Sequence, residues 1–142
     1  PETDPTYGYY RRLFVEMSES VVACQDRKGS WHPSMLDPEA YPMPENSASG
    51  FFTYGLAWGV NRGILTGSAY RKAARQGWKA LCSHVRSDGR LEYVQPIGGS
   101  PASATRLRKA GCDFATKNKD TREKRIGCFE ILLTTEPKQP SE

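Results

Sequence analysis

The chain has 142 residues, of which 37% are hydrophobic and 25% charged, and carries a formal net charge of +4. That length suits one modest domain or a piece of one, two independent cores are not expected, and no apolar run approaches the roughly 20 residues of a membrane helix, so a soluble protein is expected. Residues 1–101 hold 11 Lys or Arg against 10 Asp or Glu, so most of the excess charge sits in the tail and the body of the chain has no field for nucleic acid.

The opening Pro1-Glu2-Thr3-Asp4-Pro5 has no initiator Met, basic start or apolar signal core, which points to a natural N-terminus that is missing or processed. From Tyr9 to Gln25 the residues Tyr10, Leu13, Phe14, Met17, Val21 and Cys24 recur at three- and four-residue steps, the period of an amphipathic helix. Asp26-Arg27-Lys28-Gly29 then supplies basic residues and a glycine for a left-handed cap. Residues Ser30 to Asn46 contain Pro33, Pro38, Pro42 and Pro44, which remove backbone donors and bias their neighbours away from helix. A loop this long is usually functional or disordered, and Trp31, Met35, Leu36 and Tyr41 argue against disorder. It is expected to line something.

A second helix, Ser47 to Arg62, carries Phe51, Phe52, Leu56, Trp58 and Val60 too evenly for one narrow stripe, so it is expected to be largely buried. Gly63 stops it, and a third helix runs from Ser68 to Val85 with Tyr70, Ala73, Ala74, Gly77, Trp78, Leu81 and Val85 on one face. The short turn between them makes a helical hairpin. Asp88-Gly89 is turn chemistry, Leu91 to Gln95 suits a short extended segment, and Pro96, Gly98, Gly99 and Pro101 prevent regular structure. From Ala102 onward basic and polar residues dominate until the apolar run Ile126 to Leu133, which fits helix or strand equally.

Acid–base chemistry needs positioned carboxyl groups, and the acidic candidates outside helix faces are Asp37, Glu39 and Glu45, in the same loop as Trp31, His32 and Tyr41. Aromatic faces with carboxylates suit sugar rings, but Asp37-Pro38 also reads as a turn starter and Glu45 as a helix-start charge. His32 and His84 have no neighbours at ligand spacing, so no metal site is expected. Cys24, Cys82, Cys112 and Cys128 show neither a paired-ligand nor a redox spacing and read as free thiols, which fits a reducing compartment such as the cytoplasm. Trp58 and Trp78, at helical spacing among apolar neighbours, read as core. The basic stretch Lys117 to Arg125 is diluted by Asp120 and Glu123 and has no interleaved aromatics, so it reads as a solvated segment and no nucleic-acid partner is expected.

Three segments in order, "GSWHPSMLDPEAYPMPENSASGFFTYGLAWGVNRGIL", "YRKAARQGWKAL" and "DGRLEYVQPIGGSP", resemble glycoside hydrolases of families 88 and 105, the unsaturated glucuronyl and rhamnogalacturonyl hydrolases. The likeness covers about residues 5–101. It implies an all-α fold, part of an (α/α)6 barrel whose loops at one end bind the oligosaccharide, incomplete in this chain. It further implies an enzyme that removes unsaturated uronic acid from lyase-generated oligosaccharides, such as those from pectin or glycosaminoglycans. In that family an aspartate protonates the double bond, hydration gives an unstable hemiketal, and no cofactor is used.

The family's aspartates, and the Arg-Gly-Asn-Gly-Trp motif beside them, lie upstream of the part matched, and neither occurs here. No catalytic residue carries over, and the isolated chain is expected to be an inactive fragment. What carries over as substrate-binding positions is Trp31, Glu45, Ser47, Gly98, Gly99 and Ser100. Departure begins near Ala102, which divides the chain into a barrel portion, residues 1–101, and a basic tail, residues 102–142; truncation, a frame shift, disorder or genuine divergence of the tail remain open. The competing function is a non-catalytic helical module that binds carbohydrate or a protein partner.

Overall fold

The computed structural model describes residues 2–94. Three helices form the frame: α1 (Tyr7–Ala23), α2 (Asn46–Asn61) and α3 (Ser68–Ser83), and the described residues contain no strand, only an isolated antiparallel bridge between Val85 and Leu91. Among them no helix is long and apolar enough to cross a membrane. Gly98 to Ser100, the boundary at Ala102, the tail and its Ile126–Leu133 run lie outside the described residues.

The helices fall within two residues of the bounds read from periodicity. α1 starts two residues early because the Asp4 carboxylate accepts from the Thr6 amide at 2.8 Å and the Asp4 carbonyl from the Tyr7 amide at 3.0 Å, which winds the first turn. It also ends two residues early. The amide of its C-cap, Cys24, reaches back to the carbonyls of Ser20 and Val21, both at 3.2 Å. Gly29, expected as the left-handed cap, sits six residues beyond the helix. Its φ of +92° closes a separate turn, in which the Gly29 amide donates to the Asp26 carbonyl at 3.1 Å. A side chain at Gly29 would also collide with the Gln76 carbonyl of α3, so this turn presses directly on that helix.

α2 and α3 form the expected hairpin through a turn where Gly63 adopts φ +68°. Ile64 and Leu65 both donate their amides to the Gly59 carbonyl, at 2.9 and 3.0 Å, and the Leu65 side chain plugs the closed end of the core. The two helices pack closely because the contact is lined with small residues. Ser49, Thr53, Ala57 and Gly59 of α2 and Ala73, Ala74, Gly77 and Ala80 of α3 are all buried. A β-carbon at Gly77 would strike the Thr53 hydroxyl and the Trp31 ring. One at Gly59 would come to 2.7 Å from both Leu65 and Phe14. The core comprises Trp31, Leu56, Ala57, Val60, Leu65, Ala73 and Ala74, with Phe14, Val21, Val22, Met35, Phe52, Tyr70 and Trp78 packed against it.

Two expectations for α2 change. The helix is buried on one side only: Phe51 is 79% exposed and Tyr54 52%. Trp58, read from sequence as core, is 38% exposed, its ring edge-on to Phe14 at 5.5 Å and capped by the Arg62 guanidinium at 5.9 Å. An all-round apolar pattern demands cover on every side, and among the described residues only one side of α2 receives it.

Candidate functional site

The ends of the hairpin are unlike. The α2–α3 turn takes six residues, whereas the other end gathers the C-terminus of α1, the 22-residue loop 24–45, the start of α2, the end of α3 and the turn 84–94. Trp31, His32, Asp37, Glu39, Glu45 and Ser47 all belong to this end, so the loop-rich end is the candidate site.

Trp31 anchors it. The side chain is fully buried, its ring 5.4 Å from Phe52, and its indole N–H donates to the Val21 carbonyl of α1 at 2.7 Å. Its backbone binds α2: the amide donates to Ser49 Oγ at 3.3 Å and the carbonyl accepts the Glu45 amide at 2.8 Å. Trp31 thus has no open face for a sugar; it fixes where the loop enters α2.

Glu45 is the N-cap of α2, 5% exposed. Oε1 accepts from the Ser47 amide at 3.1 Å and the Ser47 hydroxyl at 2.6 Å, and Oε2 accepts from the Ala48 amide at 2.7 Å. The carboxylate therefore satisfies two of the orphan donors at the helix start and lies favourably in its dipole. Ser47 is exposed. Because its hydroxyl proton points to Glu45, its oxygen lone pairs remain suited to accept from an incoming hydroxyl.

Asp37 accepts from the Ala40 amide at 3.3 Å on the exposed part of the loop, the geometry of a turn starter, and Glu39 is exposed beside it. His32 stitches the loop together. Nδ1 lies 3.0 Å from the Met43 carbonyl and Nε2 3.2 Å from Asp26 Oδ2. Asp26 in turn accepts from the amides of Lys28 and Ser30, both at 2.8 Å. Among the described residues, no group of three His, Cys, Asp or Glu side chains could hold a metal, and Cys24 and Cys82 are free thiols.

Three residues that the sequence reading did not place in the site complete this end. Asn46 donates Nδ2–H to the Glu92 carbonyl at 2.5 Å, its amide donates to the Tyr93 carbonyl at 2.8 Å, and its Oδ1 lies 3.1 Å from His84 Nδ1. Since Asn46 Oδ1 can only accept, His84 carries its proton on Nδ1 in this contact. Burial holds the His84 pKa below the ordinary 6.5, against the opposing pull of Glu92 and Asp26. Tyr93 packs edge-on to His84 at 5.0 Å and adopts φ +58°, the left-handed region that non-glycine residues seldom occupy. The segment leading toward Gly98 is thereby tied to the first residue of α2. A histidine after a helix and an asparagine at a helix start carry no pairing signal in sequence.

Residues 1–134 match the profile of Glycosyl Hydrolase Family 88. The unsaturated 3S-rhamnoglycuronyl hydrolase of Formosa agariphila is 43% identical over 97 residues, which cover 68% of this chain and 26% of that protein. A solved glycosyl hydrolase family 88 structure from Bacteroides vulgatus superposes with a TM-score of 0.67 at 37% identity, over 70% of this chain and 29% of its own. A possible member of glycoside hydrolase family 105 from Klebsiella pneumoniae also gives 0.67, over 94% of this chain and 33% of its own; at 22% identity that likeness concerns the fold alone. The chain thus spans about a quarter of the curated relative's length.

Proposed function

This chain belongs to glycosyl hydrolase family 88, and we propose that the protein it forms part of removes unsaturated uronic acid from oligosaccharides produced by polysaccharide lyases. The observation that carries this reading is the 43% identity to a relative named as an unsaturated 3S-rhamnoglycuronyl hydrolase. The reaction adds water across the uronate double bond: an acid group delivers a proton to one carbon, water adds hydroxide to the other, and the resulting hemiketal opens to release the sugar. No aspartate of this chain is assigned to the proton transfer.

The part of this chain is to build one wall of the cleft at the loop-rich end. Ser47 offers an exposed oxygen to a sugar hydroxyl, Glu45 holds that hydroxyl in place, and Trp31 holds Glu45 through its backbone carbonyl. Gly98, Gly99 and Ser100 complete the proposed set. The Glu45 carboxylate already occupies the α2 N-terminus, so the uronate carboxylate is recognised elsewhere in the cleft.

The test uses the complete protein and an unsaturated uronyl–rhamnose oligosaccharide made by lyase digestion. Loss of double-bond absorbance with release of the shortened oligosaccharide is expected. Retention of the double bond, with cleavage of a saturated glycoside instead, would overturn the proposal. This chain alone is expected to leave the absorbance unchanged, because the reaction needs a positioned acid.

A further inference from the structure

Between Asn46 and Ser87 the sequence holds six Lys or Arg and no Asp or Glu. Four of the six, Arg71, Lys72, Arg75 and Lys79, lie on α3, and with Ser68 and Gln76 they line one groove of about 330 Å³. The groove occupies the side of α3 opposite the buried Ala73, Ala74, Gly77, Ala80 and Leu81. Lys72, Arg75 and Lys79 are exposed and Arg71 is half-buried. From Ser68 to Lys79 the helix rises about 16 Å, room for several linked sugar rings. The turn 26–29 is held against the same helix: Gln25 Nε2 donates to the Ala73 carbonyl at 3.0 Å, and the Gly29 backbone abuts the Gln76 carbonyl. It brings two further exposed cations, Arg27 and Lys28. None of these residues belongs to the Trp31, Glu45 and Ser47 set.

A merely solvated helix face mixes the two signs, as α1 does with Arg11, Arg12, Glu16 and Glu19. On α3 the arrangement works against the helix. Arg71 and Arg75 are like charges four residues apart, as are Arg75 and Lys79, and Arg71 stands in the first turn, where the helix dipole disfavours a cation. A bound polyanion relieves all of these repulsions at once. We propose that this groove binds an acidic polysaccharide chain, with the arginines forked onto its carboxylates and Ser68 and Gln76 meeting its hydroxyls. No aromatic residue lines the groove to stack on a nucleic-acid base, and no apolar side chain lines it to enter a lipid surface. Apolar cover is ruled out by the cost of desolvating four cations. The choice of a uronate polymer as the polyanion rests on the substrate reading above.

The complete protein is run in native gels containing polygalacturonate, a uronate polymer without the unsaturated end, with dextran as the neutral comparison. Polygalacturonate should retard the parent and dextran should not, and the retardation should fall with added salt. Lys72→Glu combined with Lys79→Glu should weaken the affinity about tenfold or more. Arg11→Glu combined with Arg12→Glu on α1 changes the net charge equally and should leave it nearly intact. All four positions are exposed, and the melting temperatures should match the parent. Retardation that is absent in the parent, indifferent to the α3 pair or equally lost with the α1 pair would overturn the proposal. So would tighter binding of single-stranded DNA that the α3 pair abolishes, since the groove would then serve nucleic acid. Turnover of a short unsaturated uronyl–rhamnose oligosaccharide is followed in parallel and should be the same in the α3 pair as in the parent. Lost retardation with intact turnover sinks the groove alone, whereas retardation that depends on Lys72 and Lys79 in a protein without turnover upholds the groove and sinks the substrate reading.

Discussion

At the scale of single residues, Trp31 and Glu45 illustrate how a site position can be legible while its role is not. An aromatic in a proline-rich loop can stack on a ligand or anchor the loop. Sequence does not distinguish these, because the difference lies in what the other face of the ring meets. Here it meets Gly77 and Phe52, and the indole N–H is spent on Val21. Trp31→Ala should therefore cost about 3–5 kcal/mol of stability, through lost burial and the cavity left behind. Chemical denaturation would check this, and a loss below about 1 kcal/mol would mean that the ring is not a core anchor. Glu45 was readable both as a site carboxylate and as a helix-start charge, and its three hydrogen bonds to Ser47 and Ala48 match the second geometry. Thr53 has no signature in sequence at all. Its hydroxyl is buried without a hydrogen-bond partner among the described residues, facing the space that Gly77 leaves open.

At the scale of elements, the three helices were legible because apolar period, glycine stops and proline clusters act locally. What the period could not supply was the contact between elements distant in sequence. The Asn46–His84 pair spans 38 residues and fastens the end of α3 to the start of α2. Its pH dependence has a definite sign. Burial lowers the His84 pKa, so the unfolded chain binds a proton more readily than the folded one. The stability due to neutral His84 is thus fully present above pH 6.5, the ordinary value, and is lost as pH falls from there through the depressed folded pKa. Glu92 and Asp26 oppose the shift but do not reverse it. Melting temperatures of the parent and His84→Gln, measured from pH 8 to about pH 5, should converge as pH falls, the variant being the less sensitive. Parallel curves would remove His84 from the account.

At the scale of the whole molecule, the order of motifs identified the barrel family before any contact was known, because several short segments in sequence are more specific than any one. The exposed side of α2 was less legible. Hydrophobicity states that a face will be covered, not whether the cover lies within the same 142 residues. The hairpin's asymmetry then orients the piece, with six residues at the closed end and two long irregular segments at the other. That orientation is the central claim, and Ser47 tests it most directly because it is exposed at the loop-rich end and contributes little to the core. The decisive measurement is the KM of the complete protein for the unsaturated oligosaccharide in Ser47→Ala. The account predicts a KM raised about threefold to tenfold, as for one lost hydrogen bond of about 1 kcal/mol, with the melting temperature nearly unchanged. An unchanged KM, with full turnover, would place the substrate away from this end of the hairpin and contradict it.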